Sequence, residues 1–220
     1  GVGTTEVTVI CGYSSKIGII TVVEADKLFE IGDIILSDGT KVSVDDVPLY
    51  KLDENNKPVG VIASLAYGGG TGKAVGIKKS ENTLAWACAA SYGETTSFTE
   101  IKGSKSTGDI DGSDNWDEIC LEDPNSTQNA AKYYPIFDFA NNYGMTAELA
   151  FYKDDWYVPA AAELYDVYTN KEIVQTSLNK VGGFILSGSY WSSTQASISN
   201  TACSVNLTTG SVNSGPMNLK

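Results

Sequence analysis

The sequence contains no histidine, and that absence removes the commonest general base and the commonest transition-metal ligand together. Basic residues are scarce: 15 Lys and Arg stand against 27 Asp and Glu, for a net charge of −12. A chain of that sign is repelled by nucleic-acid phosphates and by anionic membrane surfaces, so neither is expected as a partner. A neutral polar or cationic partner, such as a glycan or a protein, suits the charge better. Cys11, Cys88, Cys120 and Cys203 form no CxxC pair, which excludes the usual zinc and thioredoxin-type readings. Two disulfides and free buried thiols both fit the even count. No run reaches the ~18–20 apolar residues of a membrane span, so the chain is not expected to be membrane-embedded. The Gly1-Val2-Gly3 start reads as a trimmed or mature end, with no signal peptide. No catalytic residue, metal ligand or cofactor is assigned.

What is present is turn chemistry between strand formers. Hydrophobic residues make up 42% of 220 positions, enough for a packed core, and 22 glycines accompany many Ser, Thr and Asn. Residues 5–11 and 17–23 are β-branched runs around a polar turn and predict a hairpin, with 24–30 as a helical turn or connector. Residues 31–44 predict a second hairpin about Asp38-Gly39, followed by an exposed loop at 45–57. Residues 58–65 read as a central strand, and the glycines at 68–72 reverse the chain into a strand at 73–78. That cluster resembles a fragment of a phosphate loop. It lacks the Ser or Thr after lysine and a following helix, so a hairpin turn is the better reading. Residues 84–90 are apolar, with Trp86 expected in the core. Asp109, Asp111 and Asp114 suggest a calcium loop, but the sixth and twelfth positions counted from Asp109 are Asp114 and Cys120, not Gly and Glu. An acidic turn is the simpler reading, and a calcium site of another geometry stays open.

A helix is predicted over 126–143, either kinked at Pro135 or started by it. Phe151 to Val158 is extended and aromatic, and Pro159 is expected to open a second helix with Glu163 near its positive end. Gly182-Gly183 should close that helical region. Strands are then predicted at 184–186, 190–194, 202–207 and 211–213.

Two motifs in this half carry a family likeness. The runs Asp155-Trp-Tyr-Val-Pro-Ala-Ala-Ala-Glu-Leu164 and Tyr190-Trp-Ser-Ser-Thr194 resemble the pattern of domains found at the C-terminus of the bacterial collagen-like adhesin Lcl. That family has a variant of the C-type lectin fold. Asp155, Trp156, Tyr157, Pro159, Glu163, Leu164, Tyr190, Trp191, Ser192, Ser193 and Gly210 occupy the pattern's positions. Val158 and Ala160 replace its usual Leu and Ser, and its basic, apolar final strand is missing after Leu219-Lys220. The resemblance implies an α+β, C-type lectin-like domain over 31–220, with two helices packed on mainly antiparallel twisted sheets and 1–30 as a β-hairpin extension. It further implies an exported protein, extracellular, periplasmic or at the cell surface.

For function, the resemblance and the polar C-terminal composition together imply recognition of a glycan or protein. The expected ligand-binding residues are Trp191, Ser193, Gln195, Ser197, Ser199, Asn200, Asn206, Thr208 and Asn213, small hydrogen-bonding side chains on loops or alternate strand positions behind an aromatic anchor. Trp156, Tyr157, Tyr190 and Trp191 are expected mainly to pack helices onto sheet. Ser192 and Ser193 have no histidine to activate them. A structural module of a larger surface protein, and a variable protein of a diversity-generating retroelement, are the alternatives. A formylglycine-generating activity is disfavoured, because that class uses a cysteine pair near the domain's end, where this chain has only Cys203.

Overall fold

The computed structural model describes residues 29–47, 56–65, 72–89, 91, 93, 97–146 and 152–218, and the backbone of strands at 5–11 and 14–20. Strands β1 (Thr5–Cys11) and β2 (Ser14–Ile20) pair antiparallel, so the first predicted hairpin is present with its return arm starting at Ser14. Residues 21–28, most of the predicted loop at 45–57 and most of the glycine turn at 68–72 lie outside the described residues.

The next sheet contains β3 (Ile34–Leu36), β4 (Lys41–Val42), β5 (Pro58–Ser64) and β6 (Lys73–Gly76), antiparallel in the order β4-β3-β5-β6. Its first turn follows from local chemistry. Asp38 accepts hydrogen bonds from the N–H and hydroxyl of Thr40 (2.9 and 2.6 Å), and Gly39 takes a φ of 84° that a side chain would resist. Strand β5 is apolar along its length because both faces are covered: Val61 and Ala63 belong to the main core, Ile62 to a smaller cluster with Trp156, Tyr152 and Phe29.

The helix predicted over 126–143 is broken into short pieces: α2 (Pro124–Gln128), α3 (Ala130–Tyr133), α4 (Pro135–Asn141) and α5 (Tyr143–Thr146). They follow α1 (Asn115–Glu122), a helix that the sequence reading did not predict and that starts just after the acidic turn. Pro124 and Pro135 each open a helix, and the side chains of Asp123 and Asn129 cap the N–H groups of Asn125 and Lys132. Each cap restarts the chain in a new direction. Tyr134 and Phe137 thereby reach Trp86, which is fully buried as expected and donates its indole N–H to the Ser192 carbonyl (2.8 Å).

Helices α6 (Ala161–Thr169) and α7 (Lys171–Lys180) pack between the sheets. Pro159 does not open α6. Its carbonyl accepts the Ser193 N–H (2.8 Å), which holds the backbone extended through Ala160, and the helix starts one residue later. Alanine has no side-chain acceptor to offer as an N-cap, so the hydroxyl of Thr194 accepts the Ala161 N–H instead (2.9 Å). Gly182, at φ 71°, closes α7 as predicted, with the Gly183 N–H on the Leu178 carbonyl.

The last sheet, β7 (Ser189–Gln195), β8 (Thr201–Asn206) and β9 (Val212–Pro216), is antiparallel in chain order. The strand predicted at 184–186 joins no sheet. The Gln175 side chain takes the place of a strand partner, accepting from the Leu186 N–H (2.7 Å) and donating to the Phe184 carbonyl (3.2 Å). The result is a mixed α+β structure in which Leu164, Val167, Val174 and Leu178 join β5 to Cys203 and Val205 of β8.

Because Thr194 caps α6 from a neighbouring strand, Thr194→Val should cost about 1 kcal/mol. A lowered urea midpoint at unchanged slope checks this, and Thr194→Ser, which keeps the hydroxyl, should recover most of it.

Candidate functional site

The extended segment Asp155–Pro159 runs between two cavities. The larger, about 610 Å³, is walled by Phe29, Ile35, Ile62, Trp156, Tyr152 and Val167, with Lys73, Tyr157, Asp155 and Glu163 as its polar lining. The smaller, about 340 Å³, lies against Ile136, Phe139, Leu84 and Trp191, with Lys78 and Lys79 among its lining residues. Tyr157 and Pro159 line both. The larger volume and its mainly apolar wall with a few convergent polar groups are those of a small-ligand site.

Its polar corner is built on Glu163, only 4% exposed. Its carboxylate accepts from the Tyr157 hydroxyl (2.6 Å), the Ala160 N–H (2.8 Å) and the Gly112 N–H (2.9 Å). The expected helix-start role is therefore real but partial, since two of these donors come from outside the helix. Gly112 has to be glycine: a Cβ there would sit 2.6 Å from the Ala160 nitrogen and the Val158 oxygen. Lys73 brings its ammonium over the Tyr157 ring (4.8 Å), with Asp111 at 3.5 Å and Glu163 at 3.7 Å. Burial lifts the Glu163 carboxyl above its ordinary range, against the pull of the donors it accepts. Burial, with the Glu163 charge beside it, likewise pushes the Tyr157 phenol up, so that hydroxyl stays a donor. Asp111 is held below the usual carboxylate range despite some burial, by its bond from Ser113 and by Lys73.

The structure does not bring the sequence-predicted binding residues into one patch. Ser193 and Gln195 are fully buried, so they are corrected to scaffold positions. Ser193 accepts from the Asn115 amide (2.7 Å), and the Gln195 backbone N–H donates to the Ile101 carbonyl (2.9 Å). Trp191 is half-buried, packs in the Trp86 cluster and shares a cross-strand row with Ser204 and the exposed Asn213. Ser197, Ser199 and Asn200 are exposed at the β7–β8 turn, Asn200 at φ 62°. Thr208 is at the β8–β9 turn, the opposite end of an antiparallel sheet, where Asn206 accepts from its N–H (2.9 Å). The acidic run is a turn held by its own side chains: Asp109 accepts from the Asp111 N–H and the Asn115 amide, and Asp111 from the Ser113 N–H, while Asp114 is exposed.

Missed from sequence were Lys73, Tyr152 and Phe29 as cavity residues and Gly112 as a Glu163 partner. Glu163 alone had a local signal, its place after Pro159. Among the described residues Cys88, Cys120 and Cys203 are free thiols, and no helix is long and apolar enough to cross a membrane. Comparison with protein-family models, with curated proteins and with solved structures finds no match.

A raised folded-state value means that the native state holds the Glu163 proton more tightly than the unfolded chain does. The stability of the wild type relative to Glu163→Gln should therefore fall as pH rises from about 4.3, the ordinary glutamate value, through the folded value. Urea midpoints of both proteins between pH 4 and pH 8 check the sign.

Proposed function

We propose that this chain is a non-catalytic ligand-recognition domain of C-type lectin-like type, exported or displayed at a cell surface, that binds a glycan or a protein. The observation that carries the reading is the larger cavity, because Asp155, Trp156, Tyr157 and Pro159 of the motif help to line it. The two motifs behind the family likeness also touch: Ser193 donates to Pro159, and Thr194 caps α6. The carboxylate in the cavity supports binding over acid catalysis, since both Glu163 oxygens are engaged by donors of the scaffold. The proposed recognition centre thus moves from the polar C-terminal strands to the cavity beside β3, β5 and β6, which those strands do not line.

A second reading has one observation in its favour. Ile198, 68% exposed, projects between Ser197 and Ser199 at the β7–β8 turn, a composition suited to a protein contact.

A glycan array and a pull-down with the full chain separate the two. Lys73→Ala with Tyr152→Ala should weaken ligand capture by about tenfold or more, roughly the loss of one good polar anchor. Ser197→Ala, Ser199→Ala and Asn200→Ala together should leave it within about twofold. The reverse pattern moves recognition to the turn, and absence of any ligand removes the proposal.

A further inference from the structure

We infer that the smaller cavity is a site of its own, taking a small aromatic carboxylic acid with its ring on the apolar floor and its carboxylate held by Lys78 and Lys79. This does not rest on the recognition reading above, which concerns the larger cavity. Every basic side chain in the sequence is a lysine, and Lys78-Lys79 is the one place where two are adjacent. Both are exposed, and both line this cavity. Among the described residues neither ammonium makes an ion pair or a hydrogen bond. Lys41 and Lys73, by contrast, already face carboxylates. The backbone of the pair is anchored. The Lys78 N–H donates to the Tyr143 hydroxyl (3.1 Å), and Gly76 lies so close to that ring that a Cβ would stand 2.6 Å from its Cζ.

Charge sets this cavity apart from its neighbour. No Asp or Glu lines it, whereas Asp155 and Glu163 line the larger one. The net charge of −12 opposes any anion at a distance, but exposed charges are largely screened beyond about 8–10 Å at ordinary ionic strength. Two cations at contact range then outweigh it. The same field penalises a phosphate monoester, with nearly two negative charges, more than a carboxylate with one. The remainder of the ligand has to suit the floor, which includes Leu84, Ile136, Phe139, Phe184 and Trp191. Aromatic rings pack well on such a floor, offset or edge to face. The 340 Å³ volume is at the low end for small-ligand pockets and suits one ring with a short acid arm.

The test titrates the full chain with phenylpropionate and with phenylpropanol, which keeps the ring and lacks the charge. Nitrogen-15 amide shifts should saturate with the acid and centre on residues 78–84 and 190–191. The alcohol should bind about fivefold more weakly, roughly the loss of two exposed ion pairs, and high salt should erode the difference. Lys78→Gln with Lys79→Gln should cost the acid about fivefold and leave the alcohol within about twofold, an unequal loss that a damaged cavity would not give. Lys57→Gln with Lys171→Gln removes the same charge outside both cavity linings and should leave the acid within about twofold. The inference is overturned if the acid does not bind, if its shifts centre on the larger cavity, or if the alcohol binds as tightly. It is overturned equally if replacing the lysine pair costs the acid nothing, if the control pair costs it as much, or if a sulfated disaccharide binds more tightly than the acid.

Discussion

Glu163 accepts hydrogen bonds from three donors in two separate parts of the chain, and the arrangement around it depends on those bonds being made. Taking a carboxylate out of water is expensive, and only several well-placed donors offset it. Here the donors are the Gly112 N–H from the acidic turn, the Ala160 N–H at the start of α6, and the Tyr157 hydroxyl from the extended segment between the cavities. Loss of the carboxylate would leave the Gly112 and Ala160 N–H groups buried and unmet, each costing about 1–3 kcal/mol. The acidic turn, the helix start and the cavity wall are therefore one unit. Burial opposes the ionised form of Glu163 and prevails, while the three donors favour it.

Much of the scaffold was legible because its signals are local. The Asp38-Gly39 turn, the apolar β5, the Gly182 stop of α7 and the three C-terminal strands all follow from periodicity and turn chemistry within a few residues. The failures have a common cause in the opposite direction. Thr194 capping α6, Gln175 standing in for a strand partner at 184–186, and Pro159 giving its carbonyl to Ser193 are all long-range substitutions for groups that a local reading assumes nearby. The stretch 126–143 was legible in part: Pro135 does open a helix, one of its two readings, while the Asn129 cap divides what precedes it into shorter pieces.

The candidate binding residues show why a polar run is a weak guide to surface. Ser192, Ser193, Thr194 and Gln195 are hydrophilic in sequence, yet all are fully buried. Their hydroxyls are short enough to find partners inside: Ser192 donates to the Cys203 carbonyl, Ser193 accepts from Asn115, and Thr194 accepts from Ala161. A buried strand of small hydroxyl residues and an exposed one look alike until its neighbours are known. Lys73 and Glu163 illustrate the same limit in the cavity. Nothing local marks them as partners, and only the antiparallel β5–β6 pairing beside α6 brings them together.

Scaffold and candidate site in this protein share the same residues, and that constrains how the proposed recognition could change. Tyr157 is tied to Glu163 at one end of its side chain while its ring carries Lys73 and borders both cavities. Altering it would disturb the helix start together with the ligand wall. The exposed turn at 197–200 has no such burden: its side chains leave Glu163 and the α6 cap untouched. Variation that preserves the fold is therefore cheapest at the β7–β8 turn, and variation that preserves the ligand is cheapest there too, if the ligand sits beneath Trp156. Under the proposed recognition reading, a cavity walled by residues the fold cannot spare would suit one constant small ligand, with any adaptable contact confined to the exposed turn at the end of the last sheet.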